Sequence, residues 1–352
     1  MDRTLLDILV DPVSHSPVRL ADCSQSETDD IREGQLTGDG DRCYPIRRGI
    51  PRFVLTEDKG QRQTQESFGF KWKRRETYDS AQVLETHRNW MLERYGFNSR
   101  EAMTDYFASR RRILDAGCGS GFSSSTWLDD RWREAGDAEW TGLDISEAID
   151  VARDRLAEIP RTNFVQGDVL ATPFADGSFD TVFSEGVLHH TPSTRTGISE
   201  VARVLQSGGQ ALFYVYRRKG PIREFSDDHI RSVVSEMPEA DAWEALKPLT
   251  RLGQALAELD VEVDVPEDIP YLGISAGRQN VQRLIYWNVA KMFWNPDYTF
   301  DENHHINFDW YHPKYAHRHT EEELRSWCAE SGLSIQRLCE QESGYTIVAK
   351  KN

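Results

Sequence analysis

Ile113-Leu114-Asp115-Ala116-Gly117-Cys118-Gly119-Ser120-Gly121 decides how this chain is read. A short apolar run reads as a buried strand. It ends in an acid, and three glycines then alternate with other residues. Residues 122–128 continue as a helix in this reading. Strand, glycine turn and helix make a crevice at the strand's carboxyl end, where nucleoside cofactors bind in open α/β sheets. Gly117, Gly119 and Gly121 allow a tight turn and leave no Cβ between backbone and ligand. The following helix would offer unpaired N–H groups and a positive dipole end to an anion.

The glycine spacing selects among cofactors. A dinucleotide fingerprint requires G-x-G-x-x-G, and counting from Gly117 its third glycine falls on Phe122. A nicotinamide oxidoreductase is disfavoured on that ground. The pattern present is D-x-G-x-G-x-G, which resembles the first motif of class I S-adenosylmethionine-dependent methyltransferases. Downstream, Trp140-Thr141-Gly142-Leu143-Asp144-Ile145-Ser146 is a second strand-like run, its acid 23 residues after Gly121. A carboxylate at that strand tip can accept hydrogen bonds from both ribose hydroxyls. Residues 148–159 read as a helix with Ala148, Val151, Ala152, Leu156 and Ile159 on one stripe. Asn163-Phe164-Val165-Gln166-Gly167-Asp168-Val169 gives a third strand and acid, and residues 173–184 a turn and a fourth strand. Val187-Leu188-His189-His190 is similar to the small-molecule branch typified by ubiquinone-biosynthesis methyltransferases. A helix at 198–205, the turn Ser207-Gly208-Gly209 and a strand at 210–216 continue the same order.

The resemblance implies a Rossmann-like α/β fold with a seven-stranded sheet and S-adenosyl-L-methionine as cofactor. It assigns Asp115, Gly117, Cys118, Gly119 and Gly121 to the cofactor turn. Asp144 and Ile145 fall at the ribose, Asp168 and Val169 at the adenine, and Ser184 at the fourth strand's tip. Taken singly, Asp144 reads equally as a helix cap and Asp168 as a turn former. Acids ending successive strands of one crevice are hard to explain as independent caps. Asp180 is read as a turn and strand-start residue.

The chain has 352 residues and a formal charge of −16, which argues against the basic surface nucleic-acid binding needs. Lys71, Lys73, Arg74 and Arg75 cluster, as do Arg110 to Arg112; both groups read as solvated faces or anion contacts. No run approaches the ~18 apolar residues of a membrane-spanning helix. The N-terminus lacks the basic start and apolar core of a secretory signal. The 5 cysteines make no disulfide framework. A cytoplasmic protein without membrane partner is expected; its oligomeric state is open.

Four segments are expected. Residues 1–58 form a small α+β module, 59–216 the first part of the catalytic core, 217–318 a mainly helical insertion, and 319–352 the closing helix and strands. Leu5-Leu6-Asp7-Ile8-Leu9-Val10-Asp11-Pro12 and Tyr44-Pro45-Ile46-Arg47-Arg48-Gly49-Ile50-Pro51 resemble the zinc-ribbon-like domain of tRNA-methyltransferase activator subunits. Zinc-binding members carry Cys-Pro-x-Cys in the first phrase. Asp11 and Ser14 stand there instead, and Cys23 and Cys43 are too few for a closed zinc site, so no metal is expected. Residues 59–75 read as a polar linker, with Phe70 and Trp72 as candidates for a lid over the cofactor. Helices are expected at 81–95, 100–107, 228–235, 240–259 and 279–293, with 261–268 as linker. Thr320-Glu321-Glu322-Glu323 is a capping box before a helix at 324–330, and 333–339 and 345–350 fit a closing hairpin.

Histidines concentrate at His304, His305, His312, His317 and His319. Anchoring of a loop, acceptor binding or base catalysis, and a metal site all remain open for them. The catalytic candidates are His189, His190, Tyr311 and His317, with Tyr315 and Arg318 as candidate anion contacts. The reaction implied is methyl transfer to a small-molecule acceptor, with oxygen, nitrogen, carbon and sulfur nucleophiles all open. The competing reading is a catalytically silent binding module or partner activator.

Overall fold

The computed structural model describes residues 1–23, 30–55, 58–134 and 136–352. Four short strands come first: β1 (Arg19–Cys23), β2 (Gly34–Thr37), β3 (Cys43–Arg47) and β4 (Ile50–Pro51), antiparallel in that order. Among the described residues this segment contains 3-10 turns but no α-helix, so the expected α+β module is built of strands and turns. It is not packed as a separate unit. Val10 N–H donates to Pro173 O at 2.9 Å and Phe53 N–H to Gln166 O at 2.7 Å. Leu5, Leu36, Tyr44 and Phe53 share one apolar core with Leu143, Val165 and Phe174.

Asp11 organises the module. Its fully buried carboxylate accepts the N–H groups of Val13 and Ser14 at 2.9 and 3.0 Å. It also accepts Arg42 Nε at 2.8 Å and Tyr44 OH at 3.0 Å. Burial opposes the charge, but these donors outweigh it and hold the carboxyl at about 2. A carboxylate hub thus ties the 11–14 turn to β3.

The stretch expected as a polar linker is a helix, α1 (Lys59–Lys73). Asp58 caps it by accepting Gln61 N–H at 2.6 Å. Its buried face holds Gln61, Thr64, Ser67 and Lys71, so no apolar stripe announces it. α2 (Ala81–Tyr95) and α3 (Arg100–Ala108) follow as expected.

The central sheet begins with β5 (Arg112–Ala116). The helix expected at 122–128 is only a 3-10 turn at Ser124–Thr126, before the short α4 (Asp130–Glu134). Ser124 Oγ donates to Asp115 Oδ2 at 2.6 Å and accepts Trp140 Nε1 at 3.0 Å, while Ser125 and Thr126 bond back to nearby carbonyls. Such local side-chain bonds compete with a helix ladder. No helix dipole therefore points out of this turn.

Next come β6 (Glu139–Asp144), α5 (Ala148–Arg155), β7 (Thr162–Gln166), β8 (Phe179–Glu185), α6 (Thr194–Val204) and β9 (Leu205–Tyr216). Asp180 Oδ2 accepts Arg111 N–H at 2.6 Å at the sheet's amino edge, a strand-start role as expected.

The insertion holds α7 (Pro221–Val234), α8 (Glu239–Glu258), β10 (Glu262–Val265), β11 (Gly277–Asn280), α9 (Val281–Asn288) and α10 (Phe300–Tyr311). β10 and β11 pair antiparallel, so the 261–268 linker is half of a hairpin. That hairpin shortens the helix expected at 279–293, with Asn280 capping α9. α7 starts seven residues early because Pro221 suits the first helical position. α10 was not anticipated, although Thr299 and Glu302 form a capping box at its start.

The chain closes with α11 (Glu321–Glu330) and the hairpin β12 (Leu333–Glu340) and β13 (Gly344–Lys351). The sheet order is β12-β13-β9-β8-β5-β6-β7, with β13 antiparallel between β12 and β9. β5 lies centrally, pairing Leu114 with Thr141 of β6 and Val182 of β8. This is the Rossmann-like seven-stranded α/β sheet expected. Among the described residues no helix is long and apolar enough to cross a membrane.

Candidate functional site

A cavity of about 530 Å³ opens over the carboxyl ends of β5, β6, β8 and β9, walled by α1, α2, α9 and α10. At one end the wall is backbone and acid. Gly117 and Cys118 donate N–H to Leu143 O at 2.7 and 2.9 Å, locking the turn onto β6. Gly117 has φ +87° and Gly119 φ +54°. A Cβ on Gly117 would fall 2.3 Å from Val187 Cγ1, and one on Gly119 2.8 Å from Trp72 Nε1. Only glycine fits either place.

Asp144 reaches this turn from the tip of β6. Its Oδ2 accepts Gly119 N–H at 2.9 Å, and its Oδ1 accepts Ser146 N–H and Oγ at 2.8 and 2.6 Å. Burial pushes the carboxyl upward and the three donors pull it back. Asp168 accepts Gln61 Nε2 at 2.6 Å and Leu170 N–H at 2.9 Å. Gln65 Nε2 holds Ile145 O at 2.9 Å. Gly117, Gly119, Asp144, Ile145, Asp168 and Val169 all line the cavity.

Four other expected cofactor positions lie behind the wall. Asp115 is pushed up to about 7 by burial, with Ser124 opposing and Asp144 adding repulsion. Cys118 sits in the apolar core with Trp127 and Trp140. Gly121 packs on Leu156, and Ser184 Oγ donates to Ala116 O at 2.8 Å. These shape the turn from below. Trp72 lies on the glycine turn as a lid residue would, whereas Phe70 faces Trp243 and Phe308.

The middle of the cavity holds a buried ion pair. Arg94 Nη1 meets Glu185 Oε1 at 2.9 Å, with side chains 8% and 6% exposed, and Tyr95 OH donates to the other carboxylate oxygen. His190 borders the cavity nearby. Its Nδ1 lies 2.6 Å from Tyr315 O, and a carbonyl only accepts, so Nδ1 carries the proton. Nε2 is then a lone-pair nitrogen, buried and without a partner among the described residues. Burial lowers the imidazole to about 4, so it is neutral at neutral pH.

His189 does not reach the cavity. It packs on the Tyr216 ring at 3.7 Å, with burial driving its pKa far down. Tyr311 is buried too, its OH 2.7 Å from Asp227 Oδ1 and 2.9 Å from Lys291 O. His317 N–H donates to His189 O at 2.8 Å, and Arg318 is paired with Glu224 and Asp228. None of these four lines the cavity. The other clustered histidines are pins. His304 bridges Thr250 Oγ1 and Trp243 O, His305 meets Thr77, His312 meets Ser67 and Met237 O, and His319 meets Thr194. Anchoring of the insertion describes their contacts.

The far end is built by the insertion and β9. Lys71 Nζ bonds Asp309 Oδ1 at 2.6 Å, and Tyr216 OH donates to Asp309 Oδ2 at 3.3 Å. Lys219, Tyr286, Lys291 and Trp310 complete it. Sequence reasoning missed this end. Lys219 ends the basic run Arg217-Arg218-Lys219 and Lys291 stands alone, and no motif surrounds either. Along α1, Gln61, Gln65, Phe68 and Trp72 recur at helical spacing after Asp58, a cap residue, but the polar members conceal the stripe.

Residues 114–213 match the methyltransferase-domain family, so this segment is a methyltransferase domain. A malonyl-(acyl-carrier protein) O-methyltransferase of Erwinia pyrifoliae is 38% identical over 33% of this chain and 40% of its own. A phthiotriol/phenolphthiotriol dimycocerosates methyltransferase of Mycobacterium ulcerans is 28% identical over 49% of this chain and 62% of its own. A fatty-acid O-methyltransferase of Mycolicibacterium smegmatis is 36% identical over 38% of this chain and 48% of its own. The chain thus spans about half the length of these relatives.

Proposed function

We propose that this protein transfers a methyl group from S-adenosyl-L-methionine to a small-molecule acceptor held beneath the insertion. The observation that carries the reading is the strand-tip end of the cavity: a glycine cradle that any Cβ would fill, flanked by buried Asp144 and half-buried Asp168. These residues fit an adenosyl sulfonium. Gly117 and Gly119 give it close backbone approach, Asp144 accepts from the ribose hydroxyls, and Asp168 with Val169 meets the adenine. When bound, the cofactor supplies an electrophilic methyl carbon for in-line attack.

The chain's own residues then do the remaining work. The cavity aligns the acceptor and excludes water. His190, neutral with Nε2 as acceptor, takes the proton of a hydroxyl or amine nucleophile; an acceptor that is already anionic needs no base. The names of the malonyl, fatty-acid and phthiotriol relatives support a small-molecule or acyl acceptor. The N-terminal sheet is read as a metal-free counterpart of the activator-like domain, fused to the protein it supports, with Asp11 in the place of a ligand.

Thermal shift with S-adenosylhomocysteine and with NAD tests the reading. S-adenosylhomocysteine should raise the melting temperature and NAD should leave it unchanged. No shift with S-adenosylhomocysteine, confirmed by calorimetry, overturns it.

A further inference from the structure

The insertion end of the cavity holds two lysines, Lys219 and Lys291, that no acid pairs among the described residues. Asp309 is engaged by Lys71 at 2.6 Å, and Asp227 by Arg223 at 2.6 Å. Asp227 also accepts Trp310 Nε1 at 2.8 Å and Tyr311 OH at 2.7 Å. Lys291 lines the same wall and is 6% exposed, yet among the described residues no carboxylate lies within 4.0 Å of its Nζ. Its ammonium lies over the Trp310 ring, 4.7 Å from the centroid. Lys219 Nζ, also on this wall, bonds the carbonyls of Glu342 and Ser343 and, among the described residues, no carboxylate. Burying an ammonium without a counter-ion is costly. Packing does not require it, since an apolar side chain would fill the same space.

We propose that Lys291 and Lys219 are the recognition site for a carboxylate on the methyl acceptor, whose apolar body lies against Tyr286, Trp287 and Trp310. The proposal rests on the methyl-transfer reading only in calling the occupant an acceptor. Lysine suits the role as a point charge that does not dictate bidentate geometry. Tyr311 and Asp227 act as positioning residues, because Tyr311 OH reaches Lys291 O and Asp227 Oδ1 accepts Lys291 N–H at 3.1 Å.

The electrostatics agree. Burial, opposed by Asp309 and reinforced by Arg223, brings Lys291 down to about 7; Asp227 opposes and Lys71 adds to the lowering. Burial and the charges of Arg223 and Arg217, opposed by Glu224, bring Lys219 to about 7 as well. Lys291 adds to that lowering, and Glu342 also lines the cavity. A bound carboxylate favours the charged ammonium, so binding takes up protons and weakens as pH rises above about 7.

Calorimetry with benzoate and octanoate, each against its primary amide, tests this, with and without S-adenosylhomocysteine. At pH 6.5 each acid should bind at least about tenfold tighter than its amide. The preference should shrink by pH 9. It should vanish in Lys291→Met and weaken in Lys219→Met, with S-adenosylhomocysteine affinity unchanged in both variants and the melting temperature of Lys291→Met unchanged or raised. Equal binding of acid and amide, including no binding of either, overturns the proposal. So does a preference that survives in both variants. Phenyl phosphate binding more tightly than benzoate overturns the carboxylate assignment in favour of a phosphate. Loss of S-adenosylhomocysteine binding by the wild-type protein with the acid preference intact overturns the methyl-transfer reading alone.

Discussion

The two ends of one cavity are made by different means. At the strand-tip end, main chain and acids do the work: Gly117, Gly119 and Asp144 sit at the ends of adjacent strands, where sheet geometry alone brings them together. At the insertion end, long side chains from α1, α7, α9, α10 and β9 meet Lys219 and Lys291 from the connections after β9 and α9, and these two cations lack acids among the described residues. The difference teaches how the site divides its labour. A fixed ligand is met by the sheet, and a variable one by whatever is inserted over it.

The largest expected effect separates the ends by pH. In the insertion and its contacts, His304 and His319 lie at about 4 and His305 well below its usual value, mainly through burial. Their folded pKa values are below the unfolded one, so stability is full above about 6.5 and falls as pH drops toward 4, by roughly 1.4 kcal/mol per unit per histidine. Burial pushes Asp115 up to about 7, so its protonation favours the folded state as pH falls below that value, and it raises Asp144 in the same direction. Hydrogen exchange at pH 7 and pH 5 should show α8 and α10 losing protection while β5 and β6 keep it. Uniform loss across both regions would erase the distinction.

Next in size is the contrast between a paired and an unpaired cation. Arg94→Met strands the Glu185 carboxylate in the cavity wall and should cost about 3–5 kcal/mol of stability. Lys291→Met removes a charge that has no partner and should leave stability unchanged or raised. Chemical denaturation of both variants measures this. Equal destabilisation would mean that Lys291 is paired in solution. The smallest effect is expected at His317, which is half-buried and outside the cavity. His317→Ala should change S-adenosylhomocysteine affinity by less than about 0.5 kcal/mol, the range of substitutions away from special features. A larger loss, read by calorimetry, would restore it to the site.

The same contrast explains what the sequence disclosed. Asp115 to Gly121, Asp144 and Asp168 are legible because strand period, glycine turns and acids repeat at sheet spacing. The capping box at Thr320 and the closing hairpin were equally plain. α1 was hidden because its buried face is polar, with Gln61 and Gln65 turned toward strand-tip groups rather than a greasy core. The helix expected after Gly121 failed because Ser124 to Thr126 bond locally instead of extending a ladder. Lys219 and Lys291 come together only through the path of the insertion, 72 positions apart in the chain, and nothing in a linear pattern marks that meeting. His189 and Tyr311 were singled out for their chemistry, but burial makes them packing and positioning residues.

The central claim is that the strand-tip end holds the cofactor independently of the insertion end. Calorimetric titration of S-adenosylhomocysteine into wild type, Asp144→Ala and Lys291→Met tests it most directly. Asp144→Ala leaves the ribose hydroxyls without a charged acceptor and should lose about 1.5–3 kcal/mol, or roughly ten- to a hundredfold in affinity. Lys291→Met should bind as wild type does. Unchanged affinity in a folded Asp144→Ala protein, or an equal loss in Lys291→Met, would contradict the account.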